Sequence, residues 1–164
     1  MTEWVVTGSR PPRDGYTITE ISRFYALFDL MMKDGDKLIT GGCVGVDAIA
    51  MKYAHLHNIH VTTLIPINHQ FTALEAVRLY SDDTIETGVG YWARDKLEVD
   101  RVDKVIALPL FSRAKSSRYS GTWHTWDLAS KQGKASVLVV TRPKDGSSII
   151  GPDAHLVQEK LLTR

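Results

Sequence analysis

The sequence predicts an α/β fold in which an open parallel sheet of about five strands carries helices on both of its faces. Short apolar runs alternate with longer segments of helical periodicity five times along the chain. Glycine-rich turns follow several of the apolar runs and separate them from the helices. Strands that alternate with helices are joined by right-handed crossovers, which build a parallel sheet covered on both sides.

Five apolar runs are predicted to be strands, because glycine, proline or polar residues bound each of them. Pro66 and Pro109 end two of these runs. Numbered along the chain, the strands are expected to lie in the order 3-2-1-4-5, which is a Rossmann-like arrangement. The predicted strands are residues 4–7, 37–40, 60–65, 104–108 and 135–141.

The helices are predicted from apolar residues at helical spacing and from their start and stop signals. Thr17 and Glu20 form a capping-box pair at the start of the first helix. Residues 66–90 are long for a simple connection, so we interpret them as an insertion with at most one short helix. Residues 142–164 are interpreted as a C-terminal tail. The predicted helices are residues 17–32, 44–57, 73–80, 91–102, 121–131 and 154–162.

Composition bounds the class of protein. A chain of 164 residues, 43% of them hydrophobic, fits one domain over residues 1–164 with a core of its own. Its net charge of +1 argues against a dedicated nucleic-acid binder. The single cysteine, Cys43, excludes an internal disulfide and a Cys-rich zinc site, and no metal site is predicted. No signal peptide or membrane span is visible, so the expected location is the cytoplasm.

Three turns at predicted strand ends carry the residue types that hold phosphate. Glycine lets an anion approach the backbone, and a helix start offers free N–H groups at the positive end of its dipole. Hydroxyl groups and the guanidinium of Arg10 add further donors. Each turn alone also fits ordinary turn geometry, with Ser120 as a helix cap and Asp47 facing the helix dipole. The predicted ligand-binding residues are Gly8, Ser9, Arg10, Gly41, Gly42, Gly45, Asp47, Ser120, Gly121 and Thr122.

The motifs VVTGSR at 5–10, ITGGCVGVD at 39–47 and SGTWHT at 120–125 resemble the SLOG superfamily, most closely its YspA-like branch. The superfamily includes the DNA-processing protein DprA and the LOG phosphoribohydrolases. The resemblance implies a Rossmann-like fold and a nucleotide or nucleotide-derived ligand. The branch has an Arg-Asp or Arg-Asn pair before its fourth strand, which Arg94 and Asp95 match. It implies that Arg94 holds phosphate with Arg10, and that Asp47 holds ribose.

One departure separates this sequence from the LOG enzymes. Their motif, Pro-Gly-Gly-x-Gly-Thr-x-x-Glu, ends in a glutamate that serves catalysis, and Thr125 stands at that position here. Asp127 lies about 200° further around the helix and is a poor substitute. The sequence therefore favours a module that senses or sequesters its ligand. An enzyme that acts on an N-glycosidic bond, with Asp47 and Asp95 as catalytic candidates, is the alternative, and DprA-like handling of single-stranded DNA is a weaker one.

Several residues keep two interpretations. Trp123 and Trp126 fit core packing or stacking on a base, and His124 fits an exposed helix position or a ligand contact. The basic loop at 111–119, with Arg113, Lys115 and Arg118, fits a solvated loop, a lid or a nucleic-acid contact. Asp47 and Asp95 also suit a Mg²⁺ ion that accompanies the nucleotide. Many members of the superfamily self-associate, so the resemblance suggests a homo-oligomer, although no interface is visible in the sequence.

Overall fold

The computed structural model describes residues 1–117, 120–144 and 148–162. Its strands form a single sheet in the order β4-β3-β2-β1-β5-β6-β7. The pairs from β4 to β6 are parallel, and β7 pairs with β6 in the antiparallel direction. The strands are β1 (Glu3–Gly8), β2 (Lys37–Thr40), β3 (His60–Ile65), β4 (Asp83–Glu86), β5 (Lys104–Leu108), β6 (Ala135–Val139) and β7 (Ile149–Ile150).

The predicted helices are present with small shifts at their ends. Thr17 and Glu20 form the expected capping box, in which each side chain accepts a hydrogen bond from the backbone N–H of the other. A short 3₁₀ turn, Arg113–Lys115, lies in the loop after β5. The helices are α1 (Ile18–Met31), α2 (Val46–Leu56), α3 (Leu74–Tyr80), α4 (Tyr91–Arg101), α5 (Gly121–Lys131) and α6 (Ala154–Leu162).

The predicted fold class and strand order are confirmed, and the strand count is corrected. The expected order 3-2-1-4-5 is the central run β3-β2-β1-β5-β6. The insertion holds the expected helix, α3, but it also holds β4, which was missed because all four of its residues are exposed and it therefore lacks an apolar run. The tail adds the two-residue β7 and holds the expected helix, α6.

Apolar side chains pack on both faces of the sheet, as expected of buried parallel strands. On one face, Phe28 of α1 and Met51 of α2 pack with Leu38 and Ile106 of the strands. On the other face, Val99 of α4 packs with its own cluster of strand residues. Among the described residues, no helix is both long and apolar enough to cross a membrane. The carboxyl ends of β1, β2 and β5 meet at one rim, where the candidate site lies.

Candidate functional site

A cleft of about 940 Å³ opens at the carboxyl ends of β1, β2 and β5. Open α/β sheets bind ligands in a crevice of this kind, which forms where the connection after β1 runs to one side and the connection after β5 runs to the other. Most residues predicted from the three turns and from the Arg-Asp pair line it. These are Gly8, Ser9, Arg10, Asp47, Arg94, Asp95, Ser120, Gly121 and Thr122.

The three glycines of the turn after β2 do not line the cleft. Gly42 has a φ of +66°, and a Cβ there would lie 2.6 Å from the Thr63 methyl group. Gly45 has a φ of +98°, and its Cβ would lie 2.5 Å from the Ser9 carbonyl oxygen. A Cβ on Gly41 would lie 2.6 Å from the Arg94 guanidinium. Backbone conformation and close packing thus account for glycine at these positions.

The turn after β1 joins the other two turns. The Leu110 N–H donates to Ser9 Oγ at 2.9 Å, which ties the loop after β5 to this turn. The Tyr16 hydroxyl donates to the Ser9 carbonyl at 2.9 Å. Arg10 is exposed, and its guanidinium carbon lies 3.8 Å above the ring of Phe71. The turn therefore holds an exposed cation at the edge of the cleft.

The start of α5 presents donors to the cleft. Ser120 caps the helix by accepting a hydrogen bond from the Trp123 N–H at 3.4 Å. Among the residues that the structure describes, the N–H groups of Gly121 and Thr122 and the Thr122 hydroxyl have no hydrogen-bond partner. Thr122 is only 4% exposed and lines the cleft, as does the exposed Lys115. The first turn of α5 carries no acidic residue.

Arg94 lies under the cleft floor with its N–H groups bound to the protein. Its Nη1 donates to the carbonyl oxygens of Gly41, at 2.9 Å, and Leu64, at 3.1 Å. Its Nε lies 3.2 Å from an Asp95 oxygen and 3.6 Å from a Glu98 oxygen. Arg94, which was predicted to bind phosphate, therefore lies at the site. Its N–H groups, however, join the turn after β2 to β3 and α4.

Three carboxyl groups surround that guanidinium at the floor. Burial raises the pKa of Asp47 and of Asp95 to about 6, against the opposing effect of the Arg94 charge. Burial also raises the pKa of Glu98 well above its ordinary value. Asp47 accepts a hydrogen bond from the Cys43 N–H at 3.1 Å. Since burial raises the pKa of the Cys43 thiol to about 12, this thiol is no ready nucleophile.

Other predicted candidates lie away from the cleft. Trp123 and Trp126 are buried, which fits the core-packing interpretation. His124 packs on Trp92, with ring centroids 3.8 Å apart, and burial lowers its pKa. Arg113 forms two hydrogen bonds to Asp127, at 2.6 and 2.9 Å, so this basic side chain and this acid neutralise each other. No cluster of His, Cys, Asp or Glu fit to hold a metal ion occurs in residues 1–117, 120–144 and 148–162.

Residues 118 and 119, which include Arg118 of the basic loop, lie outside the described residues. Thr125, at the position of the LOG glutamate, is 1% exposed and does not line the cleft. Sequence reasoning also missed members of the site. Glu98 lies one helical turn after Arg94, and that spacing was its available signal. Phe71 follows no glycine motif, and Tyr91 follows Gly88-Val89-Gly90, which was not counted among the phosphate-type turns.

No family model matches this chain. No curated protein matches its sequence. Solved structures resemble it. The molybdenum cofactor carrier protein of Chlamydomonas reinhardtii has a TM-score of 0.61 at 20% identity, over 97% of this chain and 84% of that one. DprA of Streptococcus pneumoniae has a TM-score of 0.62 at 16% identity, over 97% of this chain and 56% of that one. DprA of Helicobacter pylori has a TM-score of 0.56 at 22% identity, over 81% of this chain and 62% of that one.

DprA belongs to the superfamily that the three motifs resemble. This chain shares the Rossmann-like α/β fold of these proteins. Identities of 16–22% support the fold and carry no ligand or activity from one protein to another. The chain also spans only 56% and 62% of the two DprA chains, so the resemblance concerns one part of those proteins.

Proposed function

We propose that this chain binds a nucleotide, or a nucleotide-derived ligand that bears phosphate, and that it senses or sequesters this ligand. One observation carries the proposal: the turn after β1 and the open start of α5 meet at one cleft that also holds the exposed cations Arg10 and Lys115. N–H groups at a helix start and nearby cations together favour a phosphate group.

The phosphate is expected at α5 rather than at α2. The first turn of α2 carries Asp47, whose carboxyl group accepts the Cys43 N–H and repels an anion when it is ionised. The first turn of α5 has no acid, and it offers the free N–H groups of Gly121 and Thr122 and the Thr122 hydroxyl. Lys115 lies in the loop that leads to it.

The floor carboxyls suit the sugar. Carboxylate oxygens accept hydrogen bonds from the hydroxyl groups of ribose. The sequence suggested this role for Asp47 and Asp95. The position of Asp95 supports it, since a methyl group on Gly121 would lie 3.8 Å from Asp95 Oδ2. Asp95 therefore lies beside the expected phosphate position, where a sugar attached to that phosphate would also lie.

The structural neighbours widen the choice of ligand. One is named for carrying the molybdenum cofactor, and the H. pylori DprA is described by its single-stranded DNA binding. A small molecule fits this chain better, because the net charge is +1 and the donors converge in a cleft rather than along a basic stripe.

A second candidate function is cleavage of the N-glycosidic bond of a nucleotide. The observation that favours it is Asp95, a floor carboxyl whose burial raises its pKa to about 6, which is close to the value a general acid requires. The buried Thr125 weighs against it, because it leaves no carboxyl at the position of the LOG glutamate. We therefore rank it below binding.

Thermal melts test the proposal. AMP, GMP, CMP and UMP would be compared with the four nucleosides and with inorganic phosphate. At least one nucleotide is expected to raise the melting temperature, since a ligand at a hundredfold excess over Kd stabilises by about 2.7 kcal/mol. Equal shifts with a nucleotide and its nucleoside would refute the phosphate site. Chromatography of the same mixtures tests the second candidate, because free base released at about one turnover per second would show an enzyme.

A further inference from the structure

One wall of the cleft is aromatic. Phe71, from the insertion, and Tyr91, at the start of α4, both line the cleft and are both partly exposed. Their ring centroids are 6.1 Å apart, and the ring planes are inclined by 45°. The Arg10 guanidinium carbon lies 3.8 Å above the Phe71 ring. We call these three side chains the aromatic wall.

Backbone hydrogen bonds hold the wall in place. The Val44 N–H donates to the Phe71 carbonyl at 2.8 Å, and the Ala73 N–H donates to the Gly42 carbonyl at 2.8 Å. Between these bonds, Thr72 pairs with Cys43 in an antiparallel bridge. None of these contacts uses the Phe71 side chain. Its partly exposed ring is thus presented to the cleft by a rigid segment, although an aromatic ring gains free energy when it is buried.

Phe71 of the aromatic wall and the proposed phosphate position lie on opposite sides of the cleft. The bonds to Val44 and Gly42 place Phe71 on the β2 side, whereas α5 starts on the β5 side, with β1 between them. Neighbouring strands are about 4.8 Å apart, so the two sides are separated by about 10 Å. A ligand with phosphate at one end and a flat ring at the other spans such a distance, whereas a phosphate ion does not.

We infer that the insertion at residues 66–90 determines ligand specificity, because Phe71, with Arg10 and Tyr91, forms the surface on which a flat aromatic heterocycle of the ligand stacks. Bases stack favourably on aromatic rings and on arginine, whose guanidinium is itself planar. The inference rests on the proposed function and adds that the ring, as well as the phosphate, contributes to binding.

Calorimetric titration of the full chain with AMP, GMP, CMP, UMP and ribose 5-phosphate tests this. Phe71→Leu removes the ring and keeps a similar apolar volume. It is expected to weaken the best nucleotide by at least about fivefold and to leave ribose 5-phosphate within about twofold. Phe71→Tyr keeps the ring and should bind normally. Tyr80→Leu is the matched control, since Tyr80 is an aromatic residue of the same insertion that does not line the cleft.

A second measurement needs no variant. The fluorescent nucleotide 2-aminopurine riboside monophosphate loses emission when its ring stacks, and binding to the wild-type chain is expected to quench it. Equal losses of nucleotide and ribose 5-phosphate in Phe71→Leu, unchanged nucleotide affinity, or unquenched binding would each overturn the inference while the proposed function stands. Binding of no nucleotide by the wild-type chain would overturn both.

Discussion

The turn that leads from β2 into α2 and the turn that leads into α5 share sequence features, namely glycine, a hydroxyl-bearing residue and a following helix, but their surroundings differ. In the first turn, protein atoms occupy the space in front of Gly42 and Gly45, and both residues have positive φ. In the second, the nearest atom to a Cβ on Gly121 would be Asp95 Oδ2, 3.8 Å away. A glycine-rich turn thus serves either packing or ligand access.

The two helix starts also differ in the charged residues of their first turns. Asp47 lies in the first turn of α2, where its carboxyl group accepts the Cys43 N–H, and the Val46 N–H donates to the Ser9 carbonyl at 3.4 Å. When it is ionised, this carboxylate already complements the positive end of the helix dipole. The first turn of α5 has no acid of its own, although Asp95 of α4 lies beside it, and its Gly121 and Thr122 N–H groups lie at the cleft. The comparison teaches that a phosphate site requires open N–H groups, which glycine content alone does not reveal.

Gly45→Ala should have the largest effect. The substitution combines a φ of +98° with a Cβ 2.5 Å from the Ser9 carbonyl oxygen, which is backbone and cannot move aside. We expect a loss of about 3 kcal/mol in the free energy of unfolding, measured by urea denaturation.

Gly133→Ala is the control for that effect. Gly133 has a φ of +70°, but no atom lies within 4 Å of its Cβ position. The loss should be about 1 kcal/mol, from conformation alone. Equal losses in the two variants would show that the Ser9 carbonyl oxygen does not obstruct a Cβ at Gly45.

Gly42→Ala should have an intermediate effect on stability and little effect on binding. Its φ of +66° and the Thr63 methyl group at 2.6 Å predict a loss of about 2 kcal/mol, since a side chain yields more easily than backbone. Nucleotide affinity, titrated at a temperature where the variant is folded, should stay within about twofold. A stable variant with weakened affinity would instead make the turn after β2 the phosphate site.

Thr122→Val tests the other turn. The substitution keeps the shape and removes the hydroxyl group of a residue that lines the cleft. Affinity for the best nucleotide should fall about tenfold, or about 1.4 kcal/mol, because a hydrogen bond to a charged phosphate is lost. Thr125→Val is the matched control on the same helix, at a position 1% exposed and away from the cleft, and titration should show unchanged affinity. Equal losses in both variants would contradict a phosphate at α5.

Local sequence signals predicted most of the fold. The capping box at Thr17 and the apolar runs of the central strands depend on neighbours a few residues away, and they were found. β4 escaped because an exposed edge strand of four residues needs no apolar pattern. Its pairing with β3 depends on tertiary structure that the segment itself does not encode.

The site was predictable in part for the same reason. Most of the glycine and hydroxyl residues that were predicted at strand ends line the cleft. The role of each glycine was not predictable, because Gly45 meets Ser9 of a different turn and Gly42 meets Thr63 of a different strand. Phe71 reaches the cleft through the pairing of its segment with the turn after β2, which no local motif predicts.

The smallest expected effect concerns the floor carboxyls, of which Asp47 belongs to the turn before α2 and Asp95 lies beside α5. Burial raises the pKa of both to about 6 from an ordinary 3.8. The native state therefore binds more protons than the unfolded state between these values, and this contribution to stability is lost as the pH rises through 6. The free energy of unfolding of the wild type, measured by urea denaturation, should accordingly include a component that increases by about 1 kcal/mol as the pH falls from about 7.5 to about 5.

Other titrating groups do not obscure this pH-dependent component of the stability when each variant is compared with the wild type. Hydrogen bonds from Arg142 lower the pKa of Glu20 to about 2, so its contribution is lost only in stronger acid. Burial lowers the pKa of His124, which opposes the trend but is the same in every variant. Asp95→Asn and Asp47→Asn should each flatten the pH dependence relative to the wild type. Flattening by Asp95→Asn alone would assign the pH dependence to the carboxyl group beside α5. Unchanged slopes in both variants would show that Asp47 and Asp95 stay ionised over this range.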